Sequence, residues 1–167
     1  MQLRELMKNI HFTGNPDNRE ISAISYDSRK VKPGTLFVAI SGMQTDGHHF
    51  ISQAIENGAV AILSNGRGSD IKTVPILQVK DPRLAMSHIS AQFYGNPSMT
   101  MNVIGVTGTN GKTSIAHIIH HILQESGSSC GMLGTLGFRT PTGMMSTGFT
   151  TPESVEIQQM LQTLKMA

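Results

Sequence analysis

With 167 residues, 38% hydrophobic and 14% charged, the chain can bury a core, which excludes wholesale disorder. A formal net charge of +2, scattered rather than blocked among 13 lysines and arginines, with two tyrosines and no tryptophan, argues against a nucleic-acid surface. The single cysteine, Cys130, excludes an intramolecular disulfide and a multi-cysteine zinc site, and fits a reducing interior.

The opening MQLRELMKNIHF carries Arg4, Glu5 and Lys8 instead of the apolar block of a signal peptide. No apolar run reaches membrane-spanning length, so a soluble, cytoplasmic chain without membrane insertion is expected. Leu3, Leu6, Met7 and Ile10 recur at helical spacing and predict a short first helix. ISAISYDSR alternates as a strand, and Pro33-Gly34 marks a turn before the strand TLFVAI. Asp46 is placed to cap a helix over about 47–57, with Phe50, Ile51, Ala54 and Ile55 inward and Gly58 as its stop. His48 and His49 behind that cap read as surface residues. AVAILS and VPILQV predict two further strands. Asp81-Pro82 then starts a helix, a capping carboxylate followed by proline at the first helical position. Leu84, Ala85, His88, Ile89 and Phe93 are expected along its inner side, with His88 a core histidine.

GNPSMT, from Gly95 to Thr100, is the best boundary. About 95 residues of mixed α/β precede it, and a strand, a glycine-rich turn and a helix follow. The stretch NVIGVTGTNGKTSIAHII has the order of a phosphate cradle, yet the common rule wants a glycine five residues before the Gly-Lys pair, where Val106 stands. The chemistry survives the spacing. Gly105, Gly108 and Gly111 let backbone N–H groups converge at a helix N-terminus, Lys112 adds a point charge, and Thr113 a hydroxyl suited to Mg²⁺. The plain alternative is a turn with a solvated lysine. On a helical wheel Ile115, Ile118, Ile119 and Ile122 form the core side, with His117, His120 and His121 opposite as an exposed polar face. The helix is expected to stop near Gly127. SCGMLGTLGF reads as one strand whose glycines are approached by neighbouring backbone, and RTPTGMM as a turn. Thr151-Pro152 opens a last helix with Val155, Met160, Leu161 and Leu164 as its buried set. The chain ends inside that periodicity, which predicts a truncation.

VIGVTGTNGKTS resembles the ATP-binding signature of the Mur ligase family, whose loop differs in length from the common one. YDSRKVKPGTLFVAISGMQTDGHHFISQAIENGAVAIL is similar to that family's nucleotide-sugar-binding N-terminal domain, and TTPES to the muramoyl-binding loop of the member that adds the third amino acid. The resemblance implies an α/β fold with two units. A small mixed α/β N-terminal domain that binds the UDP-sugar would span 1–96, and the beginning of a phosphate-loop (Rossmann-like) ATPase domain 97–167. It implies an ATP-dependent ligase of peptidoglycan precursor synthesis, joining diaminopimelate or lysine to UDP-N-acetylmuramoyl-L-alanyl-D-glutamate through an acyl phosphate. ATP, the UDP-N-acetylmuramoyl peptide and the amino acid would be its small-molecule partners and Mg²⁺ its metal. The chain itself is expected to be an inactive fragment.

By the same resemblance, Gly108, Thr109, Asn110, Gly111, Lys112, Thr113 and Ser114 form the ATP loop, with Lys112 catalytic and Thr113 the metal ligand. Tyr26 and Ser28 would contact the uridine. Met43, Gln44 and Thr45 would contact the uracil and diphosphate, and Thr150 and Thr151 the muramoyl peptide. Met43 stands where a polar residue is common, and Phe149 where an asparagine is. Three other readings stay open: a non-catalytic UDP-sugar or nucleotide module, the family member that adds D-alanyl-D-alanine, and a stand-alone kinase or GTPase.

Overall fold

The computed structural model describes residues 1–42, 45–66, 71–145 and 152–166. The chain divides into two compact units, Met1–Phe93 and Tyr94–Ala167.

The first unit is built on four parallel strands in chain order: β1 (Ala23–Ser25), β2 (Thr35–Val38), β3 (Ala59–Ser64) and β4 (Ile76–Gln78). β2 buries four residues in a row, so both of its faces are covered, as parallel sheets require. On one side Phe37 and Ile62 pack with Val31, Ala39, Ala59, and with Ile51 and Ala54 from helix α2 (Ile51–Glu56). Helix α3 (Pro82–Phe93) packs against β2 and against the short helix α1 (Leu3–Leu6), where Leu3, Leu6 and Met7 are fully buried. The pairing of β2 with β3 skips Val60, whose carbonyl instead accepts from the Arg19 guanidinium.

Local signals placed the elements well. Asp46 caps the entry to α2, its carboxylate accepting from the His48 N–H at 3.1 Å. A 3₁₀ turn, Gly47–Phe50, precedes the α-helix, and Phe50 stays at the surface instead of turning inward. Asp81 caps α3 as its Oδ1 accepts from Leu84 N–H at 3.0 Å. Asp81→Ala should therefore cost about 1 kcal/mol in a urea unfolding titration. An unchanged midpoint would show the cap to be idle. The inner side of α3 is rotated from the expected one: Pro82, Ala85, Met86, Ile89 and Ser90 are buried, while Leu84 and His88 are exposed. Leu84 and Met86 are both apolar, so only the position of β2 and α1 decides between them.

The second unit carries helix α4 (Lys112–Glu125), a three-stranded antiparallel meander of β5 (Met132–Gly134), β6 (Gly137–Thr140) and β7 (Gly143–Met145), and helix α5 (Ser154–Met166). Two expectations fail here. The expected single strand SCGMLGTLGF is a hairpin turning at Thr135-Leu136, and RTPTGMM contributes a strand of its own after the two-residue turn Pro141-Thr142. The stretch Asn102–Val106, expected as a strand, forms none and has no strand partner among the described residues, and Val103 and Ile104 are exposed. In α5, Val155 is buried and Met160, Leu161 and Leu164 are half-buried. A Cβ on Gly131 would lie 2.3 Å from Leu164, so glycine lets α5 approach the start of β5.

The isoleucines and histidines of α4 depart in part from their expected places: His121 is exposed as expected, and Ile119 and His117 are half-buried. Ile115, Ile118 and Ile122 are exposed, whereas His120 is buried beside β5 and the Cys130 thiol donates to its carbonyl at 3.7 Å. Burial, and then the Arg139 guanidinium, depress the His120 pKa below its ordinary value. The helix buries the side that meets β5, which the wheel alone does not specify. Among the described residues, no helix is long and apolar enough to cross a membrane.

Candidate functional site

Because β1 and β2 are parallel neighbours, with Ile24 opposite Leu36, the loops that follow them leave the same edge of the sheet. Ligands of parallel α/β sheets bind at that carboxyl edge. Tyr26 and Ser28 lie in the first loop and Thr45 in the second, so the fold brings these three residues to one end of the unit. Met43, Gln44, Thr150 and Thr151 lie outside the described residues.

The loop after β1 is held from several sides. Ser25 Oγ donates to the Asp27 carbonyl at 2.9 Å, and Asp27 caps the 3₁₀ turn Ser28–Lys30 by accepting from Arg29 N–H. The Arg29 guanidinium grips the same carboxylate at 2.9 and 2.8 Å and holds its pKa below the usual carboxylate range. Ser28 is buried. Its hydroxyl donates to Gln53 Oε1 at 2.8 Å, and its carbonyl accepts from Asn57 Nδ2 at 2.9 Å, so α2 fixes the turn. With its proton committed to Gln53, Ser28 Oγ can serve a ligand only as an acceptor. Tyr26 is half-buried and Thr45 exposed.

Ser28→Ala removes one neutral hydrogen bond. It should lower stability by about 0.5–1.5 kcal/mol and, if this loop holds the nucleotide sugar that the resemblance implies, weaken binding of that ligand by a similar amount. Calorimetric titration and thermal unfolding read the two effects separately. Lost stability with unchanged affinity would leave Ser28 a purely structural residue.

In the second unit the glycine-rich turn enters α4 through Gly111, which sits at φ +78° with no side-chain hydrogen bond capping the helix. The first turn therefore offers backbone N–H groups, at the positive end of a 14-residue helix, without a competing cap. Gly108, at φ +151°, takes a second conformation that favours glycine. Lys112 Nζ donates to the Gly108 and Thr109 carbonyls at 2.6 and 3.1 Å, which keeps its ammonium over the turn. Thr109, Asn110, Thr113 and Ser114 are exposed around it. Thr113 Oγ1 lies 3.4 Å from Thr135 Oγ1, a residue that the sequence reading did not single out. The turn thus joins unsatisfied donors, an ammonium and an exposed hydroxyl, a set suited to a polyphosphate with a hard cation.

Among the described residues, no group of three or more His, Cys, Asp or Glu is arranged to hold a metal. His121 is exposed, 3.9 Å from Glu125 one turn on. His49 is exposed as expected, but the His48 side chain is 95% buried by an exposure of only 5%. No sequence signal distinguished the two adjacent histidines, since the short 3₁₀ turn decides which one points inward.

Two family profiles match the chain: "Mur ligase family, catalytic domain" over residues 20–94 and "Mur ligase middle domain" over 106–167. The UDP-N-acetylmuramoyl-L-alanyl-D-glutamate–2,6-diaminopimelate ligase of Listeria monocytogenes is 41% identical over 100% of this chain and 34% of that protein. The ligase of the same name from Syntrophomonas wolfei is 44% identical over 96% of this chain and 33% of that protein. A solved structure of a ligase with that name superposes with a TM-score of 0.73 at 23% identity, covering 99% of this chain and 34% of the other. The chain spans about a third of the length of the curated relatives it matches.

Proposed function

This chain belongs to the Mur ligase family, and on that premise we propose that it supplies the nucleotide-sugar-binding and first ATP-binding portions of a ligase. That ligase joins 2,6-diaminopimelate to UDP-N-acetylmuramoyl-L-alanyl-D-glutamate in the cytoplasm. Residues 1–96 form the UDP-sugar domain in this reading, and 97–167 open the ATP-binding domain. The amino acid is taken from the names of the relatives.

The observation that carries the proposal is the entrance to α4, where a glycine in the left-handed region leaves the helix donors uncapped beneath the Lys112 ammonium. ATP, when bound, supplies the phosphoryl group that activates the substrate carboxylate as an acyl phosphate. The N–H groups around Gly108 to Ser114 hold its phosphates, and Lys112 offsets charge developing on the transferring group. Thr113 would hold Mg²⁺ through its hydroxyl, together with oxygens of the nucleotide. At the other site, Tyr26, Ser28, Met43, Gln44 and Thr45 seat the uridine diphosphate, and Thr150 and Thr151 the muramoyl peptide.

Ligation is a property of the longer relatives, so it is tested with residues 1–167 placed in the Listeria monocytogenes protein over the third they match. That chimera should form the tripeptide product from ATP, Mg²⁺, the UDP-muramoyl dipeptide and diaminopimelate. The 167-residue polypeptide alone should bind the UDP-muramoyl dipeptide without turnover. A folded but inactive chimera that binds both ligands would favour a module without catalysis.

A further inference from the structure

His48 lies in a neighbourhood built around a single carboxylate oxygen. Asp46 Oδ1 accepts from Ser41 Oγ at 3.2 Å, from His48 N–H at 3.1 Å, and meets His48 Nδ1 at 2.5 Å. A carboxylate has no proton to give, so Nδ1 carries the hydrogen. The contact with His48 holds the Asp46 carboxyl well below the usual carboxylate range.

These bonds close the neck of the loop that follows β2. Ser41 and Asp46 form an antiparallel bridge, Gly42 N–H donates to the Thr45 carbonyl at 2.9 Å, and Gly47 N–H donates to Ile40 O at 2.9 Å. Glycine is required at 47, because a Cβ there would lie 2.7 Å from the Ile40 carbonyl oxygen. Thr45 is thus carried on a neck that Asp46 ties together.

His48 Nε2, by contrast, is buried and has no hydrogen-bond partner among the described residues. Leaving a buried polar atom unpaired is costly, and a histidine serving only to pack would be expected to satisfy both nitrogens. The ring's one hydrogen bond among the described residues runs from Nδ1 to Asp46. What remains for the imidazole to do is orient Asp46.

We propose that His48 is a positioning residue for nucleotide-sugar binding, acting through Asp46 to hold Thr45 at the carboxyl edge of the sheet. The inference rests on the UDP-sugar reading of the first unit.

Two replacements separate its nitrogens. His48→Asn keeps an amide N–H where Nδ1 lies, whereas His48→Gln carries the amide out towards Nε2. In calorimetric titrations of the 167-residue chain with UDP-N-acetylmuramoyl-L-alanyl-D-glutamate, His48→Asn should bind within about twofold of the wild type. His48→Gln and His48→Ala should bind about fivefold or more weakly, as for a lost hydrogen bond. Hydrogen exchange at Gly42 N–H should quicken in His48→Gln and stay slow in His48→Asn, a split that general destabilisation would not produce. Ser41→Ala, an exposed change that removes one bond to the same oxygen, should weaken binding about two- to threefold and serves if the His48 variants do not fold. Wild-type affinity in His48→Ala or Ser41→Ala would overturn the inference, as would tight binding by His48→Gln with weak binding by His48→Asn. A wild type that does not bind the UDP-muramoyl dipeptide at all removes the UDP-sugar reading and this inference together.

Discussion

Lys112→Ala should lower the affinity of the chain for Mg²⁺-ATP by about 1.5–3 kcal/mol, roughly ten- to 150-fold, and abolish ligation in the chimera. The lysine opens α4, and two of its three donors are spent on the Gly108 and Thr109 carbonyls. Its charge is thereby fixed over the turn before any anion arrives. Removing it takes away a charge-assisted bond to phosphate and also loosens the turn that presents the N–H groups. Stability should change little, because the side chain is exposed. Binding of the UDP-muramoyl dipeptide, which the first unit is proposed to hold, should be untouched. Nucleotide titration and a product assay decide the matter. Unchanged affinity together with unchanged turnover would return Lys112 to the solvated-lysine reading.

Gly58→Ala should be the most destabilising of the substitutions considered, by roughly 2–5 kcal/mol, from backbone strain and overlap combined. Gly58 ends α2 at φ +105°, and an added Cβ would lie 2.9 Å from both Pro33 Cα and Pro33 N. Those are backbone atoms on the approach to β2, with no flexible side chain to yield. The consequence reaches the proposed uridine site, because Asn57 and Gln53 of the same helix end hold Ser28. UDP-muramoyl dipeptide binding should weaken along with the melting temperature. Gly95→Ala is the control: its φ is +75°, but nothing lies within 4 Å of a Cβ there, so only the conformational cost of about 1 kcal/mol applies. Equal losses in the two variants would show that overlap with Pro33 contributes nothing.

The sequence by itself determined those features whose causes lie within a few residues of one another. Asp81 caps the helix that begins beside it, Gly58 stops the helix that ends beside it, and Gly111-Lys112-Thr113 opens α4 with its donors bare. Each is a property of local backbone geometry, so neighbouring residue types suffice to write it. Only the tertiary structure decided which side of a helix is covered and which of two like residues is used. It buried Met86 and exposed Leu84, buried His120 and exposed Ile115, and turned His48 inward while leaving His49 in solvent. It also folded one expected strand into the hairpin of β5 and β6. It brought Ser28 and Thr45 to one edge through the parallel pairing of β1 with β2. Burial is conferred by whatever packs against a residue, and those neighbours lie far away in the chain. Helical periodicity therefore sets the spacing of a buried stripe, while the contacts made at long range set its direction.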